Sequence, residues 1–128
     1  MRCGPHVNRV GEKRAAIGRR FGLDPERIVC GAGSDELLNL LAGAYLGPGD
    51  EAIYPDPGFP IYASMIDFAG AGGVPLPLRE RNAFAPDLDE LRLLITPRTK
   101  LVILNSPQNP TGGVLSAGDC RAAAAVLR

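Results

Sequence analysis

The sequence has no tryptophan, one histidine, three tyrosines and four phenylalanines. So few rings weaken any stacking platform for single-stranded nucleic acid. It has no excess of charge, 14 basic against 14 acidic residues, and so no field that draws nucleic acid or an anionic membrane. No apolar run reaches the length needed to cross a bilayer. The opening segment, Met1 to His6, lacks the apolar stretch of a signal peptide. Cysteine is scarce and odd in number. Cys3, Cys30 and Cys120 have no metal or redox spacing, which points to reduced thiols in a cytoplasmic protein rather than a disulfide framework. His6 stands alone, and no cluster of His, Cys or carboxylates has ligand spacing, so no metal site is expected.

Glycine and proline are plentiful, 16 and 12 in 128 residues. They fall between apolar segments, the pattern of a turn-rich globular fold rather than a linker. The length suits one modest domain with a real core.

The elements alternate. Asn8 to Phe21 reads as a basic helix with Val10, Ala15, Ile17 and Phe21 on its less polar side, stopped by Gly22. Arg27 to Cys30 reads as a short strand, Gly31-Ala32-Gly33 as a tight turn, and Ser34 or Asp35 as the cap of a helix reaching Tyr45. Glu51 to Tyr54 is a second strand, Pro55 to Gly58 a loop, and Pro60 to Phe68 a helix with proline in its first turn. Val74 to Leu78 is a strand that Pro75 and Pro77 mark as an edge or irregular one. Asp87 starts a helix, with Asp87, Asp89 and Glu90 read as its solvated acidic start. Lys100 to Leu104 is an apolar strand, and Ser116 caps an alanine-rich helix to Leu127. Alternation of this kind implies an α/β fold, a mainly parallel sheet with flanking helices.

Three constellations could carry chemistry. In Gly31-Ala32-Gly33-Ser34-Asp35 a glycine turn opens a helix, and such a start attracts an anion; the plainer reading is a capped helix. Phe59, in Pro57-Gly58-Phe59-Pro60-Ile61-Tyr62, follows a strand; alone it reads as a core aromatic, and Tyr62 as structural. Asn109 lies in Asn105-Ser106-Pro107-Gln108-Asn109-Pro110-Thr111-Gly112-Gly113, a polar turn at the end of an apolar strand, where open α/β sheets bind ligands. Its amide can donate a hydrogen bond, although Asn-Pro also serves simply to start a turn.

Asn-Pro-Thr-Gly after a hydrophobic strand resembles the fold-type I, pyridoxal-phosphate-dependent aminotransferases of class I/II. Gly33-Ser34-Asp35-Glu36-Leu37-Leu38 and Phe21 to Val29 resemble the histidinol-phosphate branch, whereas Tyr54 to Ser116 is more similar to aspartate-type members. The resemblance implies that this chain is part of the large domain of such an enzyme. It implies that pyridoxal 5'-phosphate is the cofactor, with its phosphate on the amides of Ser34 and Asp35, its ring stacked on Phe59 and its phenolic oxygen bonded by Asn109. The Asp35 carboxylate would point away from the phosphate. The reaction implied moves an amino group between an amino acid and a 2-oxo acid, in an enzyme that is a homodimer when complete.

The resemblance runs from about Phe21 to Ser116 and covers only the early part of the family's large domain. The chain is therefore read as an N-terminal fragment, residues 1–20 a helical segment and 21–128 a partial cofactor-binding domain. Neither lysine, Lys13 nor Lys100, has the Ser-x-x-Lys context of the family's Schiff-base lysine, and the Asp-x-x-Tyr segment is not found. No catalytic residue is expected here, and the fragment is expected to be inactive alone. Two alternatives stand beside this reading. One is a non-catalytic remnant of the fold kept for interaction. The other is a Rossmann-type dinucleotide module on Gly31 to Asp35, although that fingerprint lacks its third glycine and the next strand ends in Tyr54-Pro55 rather than an acid.

Overall fold

The computed structural model describes the backbone of residues 6–127 and the side chains from residue 9 onward. Cys3 and the side chain of His6 lie outside the described residues. The chain divides into two compact units, one running through Leu37 and one from Leu38.

The first unit holds helix α1, His6–Phe21. Gly22 ends it with a φ of 67°, a conformation glycine adopts without a Cβ penalty. The Leu23 N–H then turns back to the Gly18 carbonyl at 3.0 Å. A Cβ on Gly18 would lie 2.7 Å from the Leu23 carbonyl oxygen, so that position also requires glycine. Asp24 caps a short 3-10 turn, Pro25–Arg27, which Arg14 holds through its Nε on the Pro25 carbonyl oxygen at 2.7 Å. The strand expected over Arg27 to Cys30 does not form. The backbone is extended at Ile28, but residues 28–30 have no place in the sheet, and an extended segment becomes a strand only with a ladder partner.

Helix α2, Ser34–Tyr45, begins in the first unit and continues into the second. The second unit is a three-stranded sheet in the order β2-β1-β3, all parallel. The strands are β1, Glu51–Asp56; β2, Gly72–Pro77; and β3, Thr99–Val102. Helices α3, Ile61–Phe68, and α4, Leu88–Leu94, connect them. Helix α5, Ala117–Val126, follows, closed at its start by reciprocal bonds between Ser116 and Asp119. The architecture is the α/β fold with a parallel sheet that the alternating pattern implies.

Proline sets the limits of this sheet. The Gly72 and Leu78 N–H groups donate to the Asp50 and Asp56 carbonyls at 2.8 and 2.7 Å. Hydrogen bonding alternates along a parallel strand, so the even residues of β2 face β1. Pro75 and Pro77 fall on the odd positions, where no N–H is needed, and β2 is the edge strand that two prolines require. On the other side, Glu51 N–H donates to the Arg98 carbonyl at 2.8 Å and Ile103 N–H to the Ile53 carbonyl at 2.9 Å. The same alternation turns the Pro55 nitrogen toward β3, where it has nothing to donate. The ladder between β1 and β3 ends there. For this reason β3 is shorter than the apolar run to Leu104 suggests, while β1 continues through Pro55 and Asp56 on its bonds to β2.

The core lies on both faces of β1. Ala52 packs with Ala42, Tyr62, Met65 and Ile66 on one face. Ile53 packs with Leu76 and Leu91 on the other, as period-2 alternation demands. Burying each large side chain contributes about 1.5–3 kcal/mol. Burial pushes the Tyr62 hydroxyl above its usual pKa, and the residue belongs to the core.

Candidate functional site

The loops after β1 and β3 leave the sheet at the same, carboxyl, end. The first carries Phe59. Gly58 allows its tight course, because a Cβ there would sit 2.1 Å from the Pro55 carbonyl oxygen. Phe59 is half-buried. It meets Tyr62 edge-on, with ring centroids 5.9 Å apart and planes at 83°, and so is anchored by a core residue. It also borders an open cleft of about 200 Å³ lined by Tyr54, Pro55, Asp56, Gly58, Phe59, Pro60 and Ala63.

The second loop carries Asn109, which is exposed. This loop is folded on itself by the Gln108 N–H on the Gly113 carbonyl and the Gly112 N–H on the Gln108 carbonyl, both at 2.7 Å. Gly112 takes a φ of 77°, which favours glycine. A Cβ on Gly113 would meet the Phe84 carbonyl oxygen at 2.9 Å. The segment that presses there, Ala83-Phe84, has φ of 49° and 56°, unusual for residues with side chains. It follows Arg79, whose guanidinium forms a paired contact with Glu90, one bond at 2.9 Å. Hydrogen bonding to Arg79 holds the Glu90 carboxyl below its ordinary pKa. Glu90 is therefore a structural partner rather than one of a set of solvated acids. Asp87 does cap α4, accepting from the N–H groups of Asp89 and Glu90.

Gln108 joins the two loops. It is buried, 5% exposed, and lines a small cavity with Leu76, Leu78, Phe84 and Leu104. Its Nε2 donates to the Pro57 carbonyl oxygen of the Phe59 loop and to the Asn109 carbonyl oxygen, each at 3.1 Å. The structure thus brings the Phe59 and Asn109 loops together, through a residue that sequence reasoning passed over. A lone amide among turn-forming residues reads as solvent-facing, and only its neighbours in space make it a tie.

Ser34 and Asp35 stand in the first unit, at the start of α2. The Ser34 hydroxyl reaches the Asp35 carboxylate at 3.3 Å, and Gly33 precedes them with a φ of 98°. Glu36 folds its carboxylate back onto the Ala32 N–H. A Cβ on Gly31 would come within 2.8 Å of that carboxylate. The helix start thus already accommodates one anionic group, in keeping with its positive end. Among the described residues no group of His, Cys and carboxylates could hold a metal ion, and no helix is long and apolar enough to cross a membrane.

Residues 7–128 match the family model for class I and II aminotransferases. A histidinol-phosphate aminotransferase from Rhodopseudomonas palustris (strain HaA2) is 54% identical over 99 residues, 77% of this chain and 26% of that protein. One from Paramagnetospirillum magneticum is 50% identical over 115 residues, 90% of this chain and 31% of that protein. The chain spans less than a third of the length of these curated relatives. Among solved structures, the aspartate aminotransferase from Thermus thermophilus superposes with a TM-score of 0.86 at 35% identity, covering 91% of this chain and 32% of that one. An N-succinyldiaminopimelate aminotransferase from Mycobacterium tuberculosis gives 0.80 at 38% identity, covering 91% and 32%. By sequence and by fold, this chain belongs to the class I and II aminotransferases.

Proposed function

We propose that the chain forms the cofactor-seating part of a cytoplasmic, homodimeric aminotransferase that transfers an amino group from an amino acid to a 2-oxo acid. The family generally depends on pyridoxal phosphate. That cofactor, when bound, supplies the electron sink of the reaction. The single observation that carries the reading is the pairing of Phe59, on the rim of an open cleft, with the exposed amide of Asn109, on loops tied through Gln108.

Within the second unit, Phe59 and Asn109 fit the ring of the group. Phe59 is held by Tyr62 and faces open space, a platform for one flat ring. The Asn109 amide has no partner within the described residues and can donate to a phenolic oxygen. Ser34 and Asp35 open a helix, where amides and dipole favour a phosphate. The family resemblance gives them the role of holding it through the backbone. The curated relatives named above are histidinol-phosphate aminotransferases, and identity of 50% or more favours a reaction of that type over the aspartate type.

Titration of the chain with pyridoxal phosphate and with pyridoxal tests this. The phosphate form is expected to bind at least tenfold more tightly. Equal affinity would remove the role given to Ser34 and Asp35, and no binding of either would remove the cofactor reading. Borohydride reduction of the mixture is expected to leave Lys13 and Lys100 without selective labelling; a specific label on either would assign it the cofactor-bonding role.

A further inference from the structure

We propose that Gln108 is a positioning residue of the cofactor site, setting Asn109 in register with Phe59 by binding both loops with one buried amide group. The inference rests on the reading that these two residues receive the cofactor. A primary amide nitrogen has two hydrogens, and here it meets two acceptors, the carbonyls of Pro57 and Asn109, both at 3.1 Å. One acceptor lies two residues before Phe59; the other is on Asn109 itself. The Gln108 main chain is fixed as well, by its two bonds across the turn to Gly112 and Gly113. The Asn109 carbonyl, the Gln108 side chain and both main-chain polar groups of Gln108 are thus tied to the opposite loop or across the turn. Asn109 is exposed, so its own side chain does not hold it in place. Gln108 is 5% exposed, and in such surroundings the loss of a donor leaves its acceptors unsatisfied.

The test uses the full chain with Gln108→Met, which keeps the length of the side chain and removes both donors. Pyridoxal phosphate affinity is expected to fall about tenfold. In proton–nitrogen NMR spectra without cofactor, the Asn109 side-chain signals and the Phe59 amide signal are expected to move together. In an Asn109→Ala background the same change should cost less than threefold, because Gln108 acts through Asn109. A residue that only supports the fold would cost the same in both backgrounds, and that result would overturn the proposal. Gln108→Glu, which places a carboxylate against two carbonyl oxygens, should reproduce the loss if Gln108→Met does not fold. A folded variant of either kind that binds as tightly as the unmutated chain also overturns it. So does loss of fold in both, which would make Gln108 purely structural. If the unmutated chain takes up no pyridoxal phosphate, the cofactor reading itself falls; the paired NMR shifts then show separately whether the tie between the loops exists.

Discussion

At the amino ends of its strands the sheet is closed by complementary charge and hydroxyls. The Glu51 carboxylate accepts from the Thr96 hydroxyl at 2.6 Å and from Arg98 Nε at 2.9 Å, with a second Arg98 nitrogen also in contact. Its side chain is 13% exposed. At the carboxyl ends the arrangement is reversed. The backbone is tightly tied, yet the Asn109 side chain and a face of Phe59 are left to solvent. One end spends its polar groups on itself, and the other holds them ready. Substitutions at the first should change stability alone, whereas substitutions at the second should separate binding from stability.

The sharpest way to break this contrast is Gly58→Ala. The new Cβ would overlap the Pro55 carbonyl oxygen, and the Phe59 loop must move. A loss of about 3 kcal/mol is expected from overpacking, together with loss of cofactor binding, measured by denaturant melts and by titration. Gly113→Ala should cost about 1–2 kcal/mol, because the Phe84 carbonyl oxygen is less severely approached. Its chemical melt would remain at the unmutated midpoint only if the Ala83-Phe84 segment gave way freely.

Asn109→Ala should sharpen the contrast. Removal of one hydrogen bond to a charged oxygen weakens pyridoxal phosphate binding by about tenfold, the low end of about 1.5–3 kcal/mol. The melting temperature should not change, since the side chain supports nothing else. An equal drop in both quantities would show that Asn109 is only a turn residue.

Glu51→Gln at the closed end should have the smallest effect, and it should be pH-dependent. Hydrogen bonds from Thr96 and Arg98 hold the Glu51 carboxyl below its ordinary pKa. A carboxyl depressed in the folded state adds stability above its unfolded pKa, and that stability is lost as pH falls through the folded value. The melting difference between Glu51→Gln and the unmutated chain should therefore be present at neutral pH and vanish in acid. A difference unchanged down to pH about 2, below the ordinary carboxyl range, would contradict the assignment. Cofactor affinity should be the same in both.

The fold was legible in the sequence wherever local chemistry and tertiary demand coincide. Alternating apolar runs and capped helices specify the parallel α/β order, and Pro75 and Pro77 mark an edge strand because proline cannot donate. Arg27 to Cys30 has the composition of a strand, but pairing is a property of the neighbour, and among the described residues no strand pairs with it. Phe59 and Asn109 were readable as candidates because they lie in a motif after a strand. Gln108 and Glu36 were not, because their roles depend on a carbonyl 51 residues distant in sequence and on a carboxylate folding back over a glycine turn. The burial of Gln108 has no local signature; a polar residue inside a turn looks the same whether it faces water or a second loop.

Pro55 has a consequence beyond strand length. A ladder zips on for as long as each nitrogen brings a hydrogen, and the ring of Pro55 withholds one where the Ile103 carbonyl would next be met. The two strands are released from each other at a point decided by the main chain and not by any side chain in the loops beyond. The start of both loops is therefore set in the main chain, and the loops that carry Phe59 and Asn109 can change their side chains without the ladder extending beneath them.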